Sequence, residues 1–102
     1  MLRQPAVAGA FYPDDPETLV RLIESCFLDD SGVGYIPELK SFEGTEYPIN
    51  VMVPHAGYQY SGAIASHGYC KLVQNGFPEV FIILSPNHTG LGREVSVFNE
   101  GE

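Results

Sequence analysis

The sequence predicts an α/β domain whose sheet is mainly parallel and carries flanking helices. Two apolar runs point to it, 49–53 (Ile49, Asn50, Val51, Met52, Val53) and 80–84 (Val80, Phe81, Ile82, Ile83, Leu84). Each stops abruptly, at Pro54 in one case and at Ser85-Pro86 in the other, and a stretch of helical character separates them. Strand, helix, strand over 49–84 is a βαβ unit. Neither run alternates polar with apolar residues, so both strands are expected to be parallel and covered on both faces.

The remaining elements follow along the chain, whose 102 residues suit one domain spanning 1–102. Ala8 to Pro13 reads as an edge strand and turn, or alternatively as an aromatic wall built from Phe11 and Tyr12. Asp15-Pro16-Glu17 is a helix start: a side-chain acceptor for free N–H groups, a proline at the first helical position, and an acid at the positive end of the dipole. Leu19, Leu22, Ile23, Cys26 and Phe27 then fall on one helical face, with Arg21 and Glu24 on the other. The cluster Ser31-Gly32-Val33-Gly34 ends that helix and opens an irregular loop over 31–48, rich in Gly and Pro. A second helix is predicted from near Ser61 to about Gln74, with Ile64, Tyr69 and Val73 among its apolar positions, and Asn75-Gly76 stops it. A short last strand is predicted over 94–98.

Composition narrows the function. Lys plus Arg number 5 against 13 Asp plus Glu, for a net charge of −8. That balance excludes a general phosphate-backbone binder, so nucleic acid is not an expected partner. It also excludes a polybasic membrane anchor, and no run approaches the roughly 20 apolar residues of a membrane span. With no signal-peptide pattern at the start, the expected location is cytoplasmic. Cys26 and Cys70 lack metal-knuckle spacing and are read as buried structural thiols.

Chemistry concentrates behind the two predicted strands. Val53-Pro54-His55-Ala56-Gly57-Tyr58 follows the first and Ser85-Pro86-Asn87-His88-Thr89-Gly90 the second, each with a glycine two residues after its histidine. Ligand sites in parallel sheets collect outside the carboxyl ends of strands. Neighbouring strands about 5 Å apart would bring both imidazoles into one crevice. There they suit two ligands of one transition-metal ion, or a pair of acid–base groups. The bland alternative is two unrelated loop histidines bonded only to backbone. Phe11, Tyr12, Tyr58 and Asn87 are the expected lining residues; Tyr60 is read as packing. His67, inside the second predicted helix, is left out of the site. A different use of the same crevice is anion capture by backbone N–H groups of the Gly57–Gly62 loop and the helix start near Ser61.

Three blocks, Ala8-Gly9-Ala10-Phe11-Tyr12-Pro13, then Val53 to Gly62, then Ile83-Leu84-Ser85-Pro86-Asn87-His88, resemble the N-terminal motifs of the Memo family. Its prokaryotic members are called AmmeMemoRadiSam system protein B. The resemblance covers essentially the whole chain but only the first part of the family's fold. It implies a fold similar to the ring-opening extradiol dioxygenases of the LigB kind, with His55 and His88 matching the two metal histidines. The implied cofactor is a transition metal, Fe(II) first, with copper or zinc as alternatives. The third ligand has no counterpart in this chain. On that reading the chain is the N-terminal part of a metal-dependent, dioxygenase-like oxidoreductase, incomplete and inactive by itself. Its substrate, a small molecule or a peptide, is not specified. Its partners would be the remainder of the full-length chain, or other copies meeting uncovered edges. The alternative is a non-catalytic module for phosphorylated or acidic peptides, against which the charge of −8 weighs.

Overall fold

The computed structural model describes residues 4–39, 44–45 and 48–97. Two helices of equal length form its centre. Helix α1, Pro16–Leu28, begins as its sequence dictates: Asp15 Oδ2 accepts from the Thr18 amide at 2.8 Å and from Thr18 Oγ1 at 2.6 Å. Those bonds hold the Asp15 carboxyl below its ordinary range, the hydroxyl contributing most. One turn on, Glu17 and Arg21 pair at 3.3 Å on the exposed face.

A π-helical turn, Tyr58–Gly62, leads into α2, Ala63–Asn75, which ends at Gly76, whose amide donates to the Val73 carbonyl. The buried side of α2 differs from the apolar stripe expected of it. Ile64 and Tyr69 are exposed, while Ala65, Ser66 and Cys70 are buried, and across from them α1 buries Cys26. Small residues line the contact because the helices approach closely. A Cβ on Gly62, just before α2, would overlap the sulfur of Cys26 on α1; on α2 itself, one on Gly68 would lie 2.5 Å from Val53 Cγ1 of the segment that precedes the π-helical turn. Cys26 and Cys70 are both free buried thiols, as expected.

The loop after α1 is irregular over 29–39, yet its first residues are fastened to α2. The Val33 amide donates to Ser66 Oγ at 3.2 Å, and Ser66 in turn donates to the Ala63 carbonyl. His67 Nε2 lies 3.1 Å from the Ser31 carbonyl, which can only accept, so Nε2 carries the hydrogen. Tyr35 Oη receives Gln74 Nε2 at 3.1 Å and sits 3.3 Å from the Cys70 sulfur.

The expected parallel sheet is absent among the described residues. The regular ladder they contain is antiparallel, β1 (Gly44–Thr45) against β2 (Gly76–Phe77), and β1 falls inside the predicted loop. Residues 49–53 and 80–84 form no ladder, and neither do 94–97; Phe98 lies outside the described residues. The reason is coverage. A parallel strand needs hydrogen-bonded neighbours and packing on both faces. Val51 and Val53 touch α2 at Gly68, but Met52 is 99% exposed, and Ile82, Ile83 and Leu84 are 83%, 85% and 91% exposed. The Cα radius of gyration, 15.1 Å, exceeds the roughly 13 Å of a closely packed 100-residue domain. No described helix is long and apolar enough to cross a membrane.

Candidate functional site

His55 and His88, distant in sequence, are neighbours in space: their ring centroids are 5.0 Å apart and their planes 26° from parallel. Both side chains are exposed. Each rides on a loop closed by local bonds. Behind His55, Ser61 Oγ donates to the Ala56 carbonyl at 3.2 Å, and the Tyr60 and Ser61 amides donate to the Gly57 carbonyl at 2.9 and 3.1 Å. Around His88, the Asn87 carboxamide bonds to residues 89–91.

The other expected lining residues divide. Tyr12 meets Tyr58 edge to face at 6.5 Å, so the N-terminal aromatic segment does reach the loop that carries His55. A tight turn delivers it there: the Gly9 amide donates to the Tyr12 carbonyl, and the Ala10 and Phe11 amides to that of Val7. Burial first, then the nearby Tyr69, Tyr12 and Cys26, raise the Tyr58 phenol above its usual range, keeping it a protonated donor. Phe11 is 74% exposed. Asn87 turns its side chain onto its own loop. Tyr60 is 78% exposed and packs little.

A shallow cleft between α1 and the Tyr58–Gly62 turn is lined by Leu22, Cys26, Asp29, Tyr58 and Tyr60, with neither histidine in its wall. Chemistry rather than concavity marks the histidine pair. Two imidazoles at this separation are compatible with one ion held about 2.0–2.1 Å from a nitrogen of each ring. Bringing both nitrogens to bear requires rotation of the stacked rings about χ2. The pair therefore fits as part of a donor set, and among the described residues no group of three or more His, Cys, Asp or Glu is assembled. Asn87 as the fixing element of the His88 loop is legible only in the structure, although Asn with Gly three residues on, as in Asn87-His88-Thr89-Gly90, is a known turn signal.

The Memo family model, described as Memo-like protein, matches residues 3–102. A MEMO1 family protein of Methanobrevibacter smithii is 72% identical over 102 residues, covering 100% of this chain and 36% of the relative. One from Methanopyrus kandleri is 50% identical over 101 residues, covering 99% of this chain and 35% of the relative. One from Thermotoga petrophila is 48% identical over 103 residues, covering 100% and 37%. No solved structure matches. The chain thus spans about a third of the length of the curated relatives it matches. With the family's pattern running through nearly every residue, the chain belongs to the Memo family.

Proposed function

We propose that His55 and His88 are two ligands of a single transition-metal ion in a dioxygenase-like crevice. The observation that carries this reading is their 5.0 Å approach, made by loops that follow the two apolar segments of the chain. Neutral imidazole favours iron, copper or zinc over magnesium. Such an ion, Fe(II) first by the family resemblance, would supply Lewis acidity and, for iron or copper, one-electron chemistry.

The protein's own groups have separate tasks. The two imidazoles hold the ion, each needing one unprotonated nitrogen. Tyr58, three residues after His55 and with Tyr12 packed edge to face on its ring, is a protonated phenol that can donate to a substrate oxygen from the rim of the crevice. In the LigB-like fold the family implies, 49–53 and 80–84 are neighbouring parallel strands, and the third ligand comes from a part of the relatives that this chain does not span. Completing the site then also covers the bare apolar side chains of 80–84. The peptide-binding alternative gains no specific support: in the Gly57–Gly62 loop that would offer backbone N–H groups, the Tyr60 and Ser61 amides already donate to the Gly57 carbonyl.

The test is metal titration of the full-length protein carrying this sequence, compared with His55→Ala and His88→Ala variants. One equivalent in the parent and none held tightly by either variant is expected. Equal stoichiometry in all three removes the metal role.

A further inference from the structure

We propose that Asn87 is the positioning residue that fixes His88 against His55. The inference rests on the histidine pair being the functional site. The segment that delivers His88, Ile82 to Leu84, is almost wholly bare, so packing does not orient the loop behind it. Local hydrogen bonds must.

They converge on one side chain. Asn87 Oδ1 accepts from the Thr89 amide at 3.1 Å, from Thr89 Oγ1 at 3.0 Å and from the Gly90 amide at 3.0 Å. On its other side Asn87 Nδ2 donates to the Leu91 carbonyl at 2.9 Å. Thr89 Oγ1 also accepts from the Leu91 amide at 3.2 Å, which closes the loop a second time. Residues 89, 90 and 91 are thereby all tied to residue 87, and His88 is left at the apex of the clamp with its side chain outside it. The carboxamide suits this task because it accepts at one end and donates at the other. Flipped, it would set an NH₂ against two backbone N–H groups and an oxygen against a carbonyl, so its orientation is determined. Gly90 completes the clamp at φ +67°, which a side chain would strain.

A clamp of this kind acts through its neighbour. It fixes the shape of the 87–91 loop, so the imidazole leaves the loop in one direction and meets the His55 ring without ordering the loop at the moment of metal capture. Ligand positioning by surrounding hydrogen bonds is typically worth 10–100-fold in metal affinity. Asn87 touches the loop rather than the ring, so the low end applies.

The experiment compares the full-length protein with Asn87→Ala and Asn87→Ser variants. Serine retains an acceptor for the amide two residues on and so restores part of the turn. The probes are Co(II) binding, read by affinity and by its visible spectrum, and the proton NOE between the His55 and His88 rings in metal-free protein. Expected are a loss of the NOE and on the order of tenfold weaker Co(II) binding with an altered spectrum in Asn87→Ala, and partial recovery of both in Asn87→Ser. Unfolding stability should hardly change, because the turn is exposed. An unchanged NOE and unchanged affinity in Asn87→Ala overturn the proposal and leave the metal reading standing. If the parent itself fails to place Co(II) on the histidines, the metal reading falls, and the NOE alone still decides the role of Asn87.

Discussion

Replacing Gly62 by alanine sets a propensity gain against a steric cost, and the structure decides which is larger. Gly62 has φ −60° and ψ −40°, helical values at which alanine is favoured by about 0.5–1 kcal/mol. If propensity governed, the variant would be more stable. The added Cβ, however, falls on the Cys26 sulfur, 3.2 Å from Cys26 Cβ and 3.6 Å from Tyr58 Cβ. Cys26 is buried on α1, so the methyl must push the helices apart or force the thiol from its rotamer. Overpacking of this kind costs about 1–3 kcal/mol. The net effect is a loss of roughly 0–2.5 kcal/mol, the difference between those two ranges. A partner substitution identifies the cause. Cys26→Ala alone leaves a small cavity, but combined with Gly62→Ala the new methyl occupies the vacated space. The double variant should lose less stability than the sum of the two single losses, by about 1–2 kcal/mol. Urea unfolding followed by helical circular dichroism reads all four proteins, which suits a chain without Trp. A stabilised Gly62→Ala, or strict additivity in the double variant, refutes the close-approach argument.

Two further predictions test how the ends of the helices are held. Ser66→Ala removes the acceptor of the Val33 amide, and leaving a partly buried N–H unpaired costs about 1–3 kcal/mol; hydrogen exchange at Val33 should accelerate, and an unchanged rate contradicts the tie between loop and α2. Asp15→Ala should lower α1 stability at neutral pH, whereas Asp15→Asn should keep the cap. The Asp15 carboxyl titrates below its ordinary 3.8, so its extra contribution is present above that value and disappears as pH falls through the lowered folded value. The stability gap between parent and Asp15→Ala therefore narrows in acid to what a neutral acceptor supplies, as in Asp15→Asn, and a gap that does not change with pH contradicts the charged cap.

How much of this was legible in the sequence depends on where each element finds its partners. Helix α1 was legible to its ends because Asp15, Pro16 and the Leu19–Phe27 stripe act within their own turn. The stop at Asn75-Gly76 was legible for the same reason. The buried side of α2 was not, because Ala65 and Ser66 are small and partly polar and matter only through the closeness of α1. The expected strands 49–53 and 80–84 carry strand-forming residues, but a strand is a relation between segments, and the described residues leave these two without a ladder. The ladder that does form uses Gly44–Thr45 and Gly76–Phe77, two-residue strands that each contain a glycine and are too short for an alternating pattern to mark. Within the candidate site, the repeated proline–histidine–glycine context pointed to His55 and His88, and the structure brings those rings together. The Asn87 clamp is not legible in the sequence because its meaning lies in four specific bonds.

The central claim is that His55 and His88 share one metal ion. X-ray absorption at the metal edge of reconstituted full-length protein tests it most directly. The account predicts two imidazole scatterers with nitrogen at about 2.0–2.1 Å, one of them lost in His88→Ala and the other in His55→Ala. A coordination shell that is identical in the parent and both variants would contradict it.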